Sequence, residues 1–344
     1  MKCKTIGVDL AKTIFQVCGV NDNIKPQFNK KLSRKKFVEF MAQQPPTRVV
    51  MEACYSSHYW GRTLANMGHE VSLIPAQHVK PFVRGNKNDH NDALAIVEAS
   101  LRPHIRFVPV KTEHQQEIAA LHTIRERLIK NKTAACNQAR GILSDFGVIF
   151  DKGRKAFVAG LTEFVKSEQH SLRLRTMMAE QLREYETLSE RIIRIEKELL
   201  QFIDNEPCGN ILTSIPGIGI INASALLASI DKGQAFNNPR EFAVWLGLTP
   251  QQFASGNTSR MGRITKRGDR YLRKQLIHGA RTVVNAAKNK TDQLSVWANN
   301  LRARKSYNKT VVAMAHRLAR LIWILLQRQE HYRPQAVKYI HEGK

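Results

Sequence analysis

The chain has 344 residues, 42% of them hydrophobic, which is enough for two or three domains with buried cores. It carries 54 Lys and Arg against 29 Asp and Glu, a formal net charge of +25 that points to a polyanionic partner. The apolar run at 321–326 is far too short to span a bilayer, Asp9 interrupts the N-terminal apolar stretch, and the five cysteines are scattered without a Cys-x-x-Cys pair. These features predict no membrane span, no signal peptide, no zinc site, and reduced thiols in a cytoplasm.

Thr5-Ile6-Gly7-Val8-Asp9 reads as a strand buried on both faces that ends in a carboxylate. An isolated buried charge is costly, so Asp9 belongs either to a solvated turn or to a site with a cationic partner. Residues 14–20 read as a second strand, and 25–31 pair back as a third, with Pro26 suited to an edge. Ser33 caps a helix through Gln43, which Pro45-Pro46 stop. Arg48-Val49-Val50-Met51-Glu52 repeats the opening pattern of an apolar strand ending in an acid. A helix over 59–67, closed by Gly68, and a strand over 71–74 complete an α/β pattern with a mixed sheet.

Asp89 opens a helix to about Leu101, and Asp92, three residues on, shares its face. Two acids in a first turn also suit the helix dipole, so capping and ligation both explain them. The spacing predicts a long amphipathic helix over 115–146, a glycine-loosened stretch near 150, and a heptad-like seam over 174–203. That seam reads as a coiled-coil arm that either folds on its own chain or dimerises. Ile215-Pro216-Gly217-Ile218-Gly219 precedes another helix, and its Gly217 and Gly219 suit either a phosphate seat or a tight turn. A further helix covers 236–246. Residues 251–268 mix hydroxyls, glycines and arginines, and suit a loop lying against a phosphate backbone. The helix from Arg270 buries Leu272, Leu276, Ala280 and Val283. Arg260, Arg263, Lys266, Arg267, Arg270, Arg273 and Lys274 are candidate nucleic-acid contacts. From Ser255 onward there are 20 Lys and Arg against 4 Asp and Glu, while the four singled-out acids all precede residue 93.

The order Asp9, Glu52, Asp89, Asp92 is similar to the RuvC or RNase H-like nuclease layout, in which acids from neighbouring elements converge on Mg²⁺. The motifs "GVDLAK", "MEACYSSHYW", "KNDHNDA", "IPGIG", "WLGLTPQQFASGNTSRMGRITKRGDRYLR" and "HGAR" together resemble the DEDD transposases of the insertion-sequence one-ten family, closest to its eleven-eleven subgroup. The resemblance covers nearly the whole chain and departs locally at His90-Asn91. It implies an α/β RuvC-like (RNase H-like) DEDD domain over 1–150, a coiled-coil arm over 151–205, and a mainly α transposase domain over 206–344. The last would hold a helix-hairpin-helix-like turn and a catalytic serine loop. It implies Asp9, Glu52, Asp89 and Asp92 as ligands of Mg²⁺ or Mn²⁺, with Ser255 as nucleophile. The partners it implies are donor and target DNA, a structured non-coding (bridge) RNA, and further copies of the chain as a dimer or tetramer, in a bacterial cytoplasm.

Two other readings stand beside RNA-guided recombination through a phosphoserine. One is a RuvC-like, structure-specific endonuclease that uses water as nucleophile. The other is a non-enzymatic basic protein that binds nucleic acid.

Overall fold

The computed structural model describes residues 3–54, 56–83, 89–103, 105–256 and 258–334, without the side chain of Asp89. By packing, the chain forms two compact units, Met1–Gln116 and Glu117–Lys344.

The first unit runs β1 (Thr5–Asp9), β2 (Ile14–Val20), β3 (Pro26–Ser33), α1 (Arg34–Ala42), β4 (Arg48–Glu52), α2 (Ser57–Asn66), β5 (Glu70–Ile74), α3 (Ala76–Val79) and α4 (Asp89–Ser100). Its sheet has the order β3-β2-β1-β4-β5. β1, β4 and β5 are parallel, and β2 is antiparallel to both its neighbours. This mixed sheet is compatible with the expected RuvC-like domain. The dense apolar runs of β1 and β4 are explained by cover on both faces. Ile6, Val8, Val49 and Met51 pack on Phe37 and Met41 of α1 and on Trp60 and Leu64 of α2. On the opposite face Val50 packs on Ala95, Ile96 and Ala99 of α4. Gly7 makes room for that helix, since a Cβ there would come 2.5 Å from both the Ala93 carbonyl and a Val97 methyl. Ser33 caps α1 as expected, its side chain accepting from the Lys36 amide.

The helix α5 (Glu113–Asp145) leads into the second unit. There follow α6 (Arg154–Lys166), α7 (Leu172–Asn205), α8 (Pro207–Thr213), α9 (Ile220–Ile230), α10 (Pro239–Trp245), β6 (Pro250–Ser255), β7 (Thr258–Ile264), α11 (Arg270–Ala286), α12 (Gln293–Arg304) and α13 (Tyr307–Arg328). The predicted seam of α7 is covered by its own chain. Leu174, Met178 and Tyr185 pack with Ala139 and Leu143 of α5 and with Phe157, Leu161 and Phe164 of α6. Farther along, Leu188, Ile192, Ile195 and Leu199 join the core of α8, α9 and the C-terminal helices. The Arg125–Glu196 ion pair at 2.6 Å and Lys132 over the Tyr185 ring show α5 and α7 running in opposite directions. The sequence reading divides the chain near 150 and 205. Packing draws one division, at 116, because α5 and α7 share a continuous core with the helices that follow.

The helix α6 lies in the stretch expected to be glycine-loosened, and α8 begins at Pro207, a residue well suited to a first helical turn. α13 is long and apolar enough by composition to cross a membrane, yet Val311, Met314, Leu318, Ile322 and Leu325 are buried in the core.

Candidate active site and nucleic-acid interface

Asp9 and Glu52 stand at the C-terminal ends of neighbouring parallel strands, one residue beyond the paired Val8 and Met51. Side chains alternate along a strand, so Asp9 follows Gly7, and Glu52 follows Val50, onto the face covered by α4. Both acids are half-buried at the sheet's mouth. Their fields meet at Cys54. Burial pushes its thiol up, and the charges of Glu52 and Asp9 add to this, raising it to about 11.

Gln16 is paired with Asp9 across β1 and β2 and is only 5% exposed. Its Nε2 donates to the Asn29 side-chain oxygen, and the Asn29 amide donates at 3.0 Å to the His90 carbonyl in the first turn of α4. This relay fastens the helix that bears Asp92 to the strands beside Asp9. The sequence reading missed it, because Gln and Asn in strands carry no motif.

Asp92 precedes Ala93, whose carbonyl lies against Gly7. The side chain of Asp89 lies outside the described residues, and so does its expected role. Among the described residues, no three His, Cys, Asp or Glu side chains are grouped so that they could hold a metal ion. The acid donors at the sheet's mouth are oxygens, a set that suits a hard divalent cation. The Gln16 Oε1 beside them is buried without a hydrogen-bond partner, which fits the same group.

In the second unit, the stretch expected as a loop is an antiparallel ribbon of β6 and β7, with Ser255 opposite Thr258 at its tip. No residue of either strand is buried, so the strand signal that comes from one buried face was absent. The base of the ribbon is narrow and tied. Thr265 and Lys266 donate their amides to the Thr249 and Gly247 carbonyls at 2.8 and 3.1 Å. Gly247 and Gly268 have φ of +68° and +87°, and a Cβ on either would fall within 2.0 Å of a carbonyl oxygen across the neck.

Arg273, expected to contact nucleic acid, is instead 8% exposed. Its guanidinium donates to the Leu246 carbonyl at 2.9 Å and the Arg267 carbonyl at 3.3 Å, clasping the neck from beneath. Its spacing to Leu276 and Ala280 placed it on the buried stripe of α11, a signal available in the sequence. Lys274 is ion-paired to Glu126 at 2.9 Å. Arg260, Arg263, Lys266, Arg267 and Arg270 are exposed along or just below the ribbon.

Gly217, at φ +80°, is required by packing, since a Cβ there would come 2.5 Å from the Gly279 carbonyl of α11. Gly219 faces open space and leaves the first amides of α9 without a side-chain cap. The buried set His122, Ser224 and Tyr271 superficially suggests hydrolytic machinery. However, the Ser224 hydroxyl donates to the Ile220 carbonyl at 2.7 Å, and His122 bridges it to Tyr271 at 3.0 and 2.9 Å. That network is a tie between α5, α9 and α11.

Comparison with known proteins finds matches to transposase families over both parts of the chain. The transposase model for the DEDD proteins of IS110 matches residues 6–147, and the one described as "Transposase IS116/IS110/IS902 family" matches residues 209–295. A probable family 20 transposase of Pseudomonas aeruginosa is 44% identical over 97% of this chain and 100% of its own length. The transposase for insertion sequence element IS1111A of Coxiella burnetii is 40% identical over 96% of this chain and 91% of its own. A pilin gene-inverting protein of Moraxella lacunata is 21% identical over 73% of each chain. These matches define an enzyme that cuts DNA. The chain belongs to the IS110 family of DEDD transposases.

Proposed function

We propose that this transposase moves its element by exchanging DNA strands through a covalent phosphoserine at Ser255, with Asp9, Glu52, Asp89 and Asp92 forming a divalent-metal site. The observation that carries this reading is the position of Ser255, exposed at the tip of a tied ribbon with arginines below it and no carboxylate between Pro250 and Gly268. An uncharged hydroxyl in a cationic setting can approach a phosphodiester that an acid would repel. In the step, the Ser255 oxygen bonds to phosphorus, its proton passes to a base, and one deoxyribose oxygen leaves and is protonated. The number of phosphoester bonds is conserved, so no nucleotide hydrolysis is needed. Asp9 and Glu52, with Asp89 and Asp92, would hold Mg²⁺ or Mn²⁺, which when bound supplies charge neutralisation and lowers the pKa of a coordinated hydroxyl. The Gln16–Asn29 relay orients α4 for that set. Arg260, two residues below the tip, neutralises charge on the phosphate, and Arg263, near the base of the ribbon, adds to the positive field.

The acids lie in the first compact unit and Ser255 in the second, and the active form in this reading is a dimer or tetramer. The three-part division at 150 and 205 is retained as a functional one, with residues 151–205 as the arm. Base selection is assigned to pairing of DNA with a structured RNA of the element. The arginine ribbon supplies backbone grip, with Gly219 and the free amides of α9 as a phosphate seat. A relative named for inverting a pilin gene supports strand exchange over simple hydrolysis.

The test is to incubate the protein with Mg²⁺, labelled element-end DNA and RNA transcribed from the element's flank, then denature it. Label should travel with wild-type protein and not with Ser255→Ala. Nicking by Ser255→Ala at the wild-type rate, with no adduct in either protein, would establish the endonuclease that uses water.

A further inference from the structure

One aromatic on the ribbon is left largely exposed. Phe253 keeps 53% of its surface exposed on β6, and Ser255 follows it two residues later. Residues two apart on a strand share a face, about 7 Å from each other, and so do Arg260 and Thr258 opposite them. The Phe253 ring lies across Gly262, where a Cβ would come 2.8 Å from Cε2. The Arg260 guanidinium lies 5.9 Å from the ring centroid. One side of the ring therefore closes over the strand, as aromatic side chains do over glycines in sheets. Beyond the strand and the Arg260 guanidinium, about half of the residue's surface still faces solvent. An exposed ring gains little from burial, so packing alone does not account for that exposure.

We infer that Phe253, backed by Gly262 and flanked by Arg260, is a stacking platform for an unpaired DNA base beside the phosphate that Ser255 attacks. Aromatic rings joined to arginines stack bases of any sequence, and such stacking needs a base released from its pair. The surroundings have the matching charge, with Arg260, Arg263, Lys266 and Arg267 on or just beyond the ribbon and no acid among residues 250–268. The distance from Ser255 to Phe253 along the strand matches the reach from a backbone phosphate to the base of its own nucleotide. The identity of the held strand rests on the Ser255 reading; the stacking itself does not.

The experiment uses the full chain and duplex DNA carrying one extrahelical 2-aminopurine, with a fully paired duplex and the same bulge in RNA for comparison. Wild-type protein and Ser255→Ala should both quench the bulged base. Phe253→Ala should lose the quench and bind the bulged DNA about 5- to 150-fold more weakly, while binding of the paired duplex stays unchanged. Phe253→Tyr should restore the quench, and Gly262→Val, which displaces the ring, should reduce it. Quenching by Phe253→Ala equal to wild type overturns the platform, and so does preference for the RNA bulge. Intact quenching without any phosphoserine adduct in wild type overturns the Ser255 reading alone.

Discussion

The buried tie at His122 gives a sharp test of how the second unit is held together. Ser224 uses its proton on the Ile220 carbonyl, so His122 must donate from Nε2 and accept the Tyr271 hydroxyl at Nδ1, which requires a neutral ring. Burial, aided by the charge of Arg125, lowers the His122 pKa to about 4 from an ordinary 6.5. Arg125 is itself paired to Glu196, so its charge remains. Between those two values the unfolded chain binds the extra proton, and stability therefore rises with pH. The contribution is fully present above pH 6.5 and is lost as pH falls toward 4. The whole shift corresponds to about 3 kcal/mol, and about 2 kcal/mol of it should be gone at pH 5. Urea unfolding followed by tryptophan emission reports mainly this unit, which holds Trp245, Trp297 and Trp323. His122→Gln should be less stable than wild type at pH 7, yet its loss between pH 7 and pH 5 should be about 2 kcal/mol smaller. An unchanged pH slope in the variant would refute the assignment of a neutral buried ring.

Arg273→Ala removes a buried donor from two carbonyls and should cost about 2–3 kcal/mol in the same assay, and Arg273→Lys should fail to restore it, because an ammonium cannot reproduce the planar fork. Cys54 reports on the acids. Asp9→Asn or Glu52→Gln should lower its thiol pKa from about 11 and speed alkylation at pH 9, whereas an unchanged rate would mean that the acids do not converge there. Mn²⁺ added to wild type should lower that pKa in the same direction. Replacing two of Arg263, Lys266, Arg267 and Arg270 should flatten the dependence of DNA affinity on salt by about two log units per log unit. A change in the site chosen, rather than in the slope, would show that these side chains read bases.

The strand-end acids were legible because a buried β-branched run that ends in a carboxylate is locally costly, and β1 and β4 both pay it. The long helices were legible from period alone, and the partner of the α7 seam was not, because a stripe of leucines says nothing about which surface covers it. The ribbon failed for a physical reason. With no face buried, Gln251 to Ile264 offered no alternation, and the ties at the neck join Leu246, Gly247 and Thr249 to Arg273, Lys266 and Thr265, which are remote in sequence. Arg273 was misplaced because its charge was weighed above its position on the α11 stripe. Gln16 and Asn29 could be found only once β2, β3 and α4 were brought side by side.

The waist formed by Gly247 and Gly268 also bears on how such an enzyme diversifies. Substitutions within the blade beyond it remove almost no buried surface, so the fold exerts little selection on them. At the waist itself a single added methyl group would collide with backbone. The exposed surface of the blade can therefore change while the mounting that holds it stays unaltered. Substitutions in the blade, with the junction left as it is, should leave the fold intact.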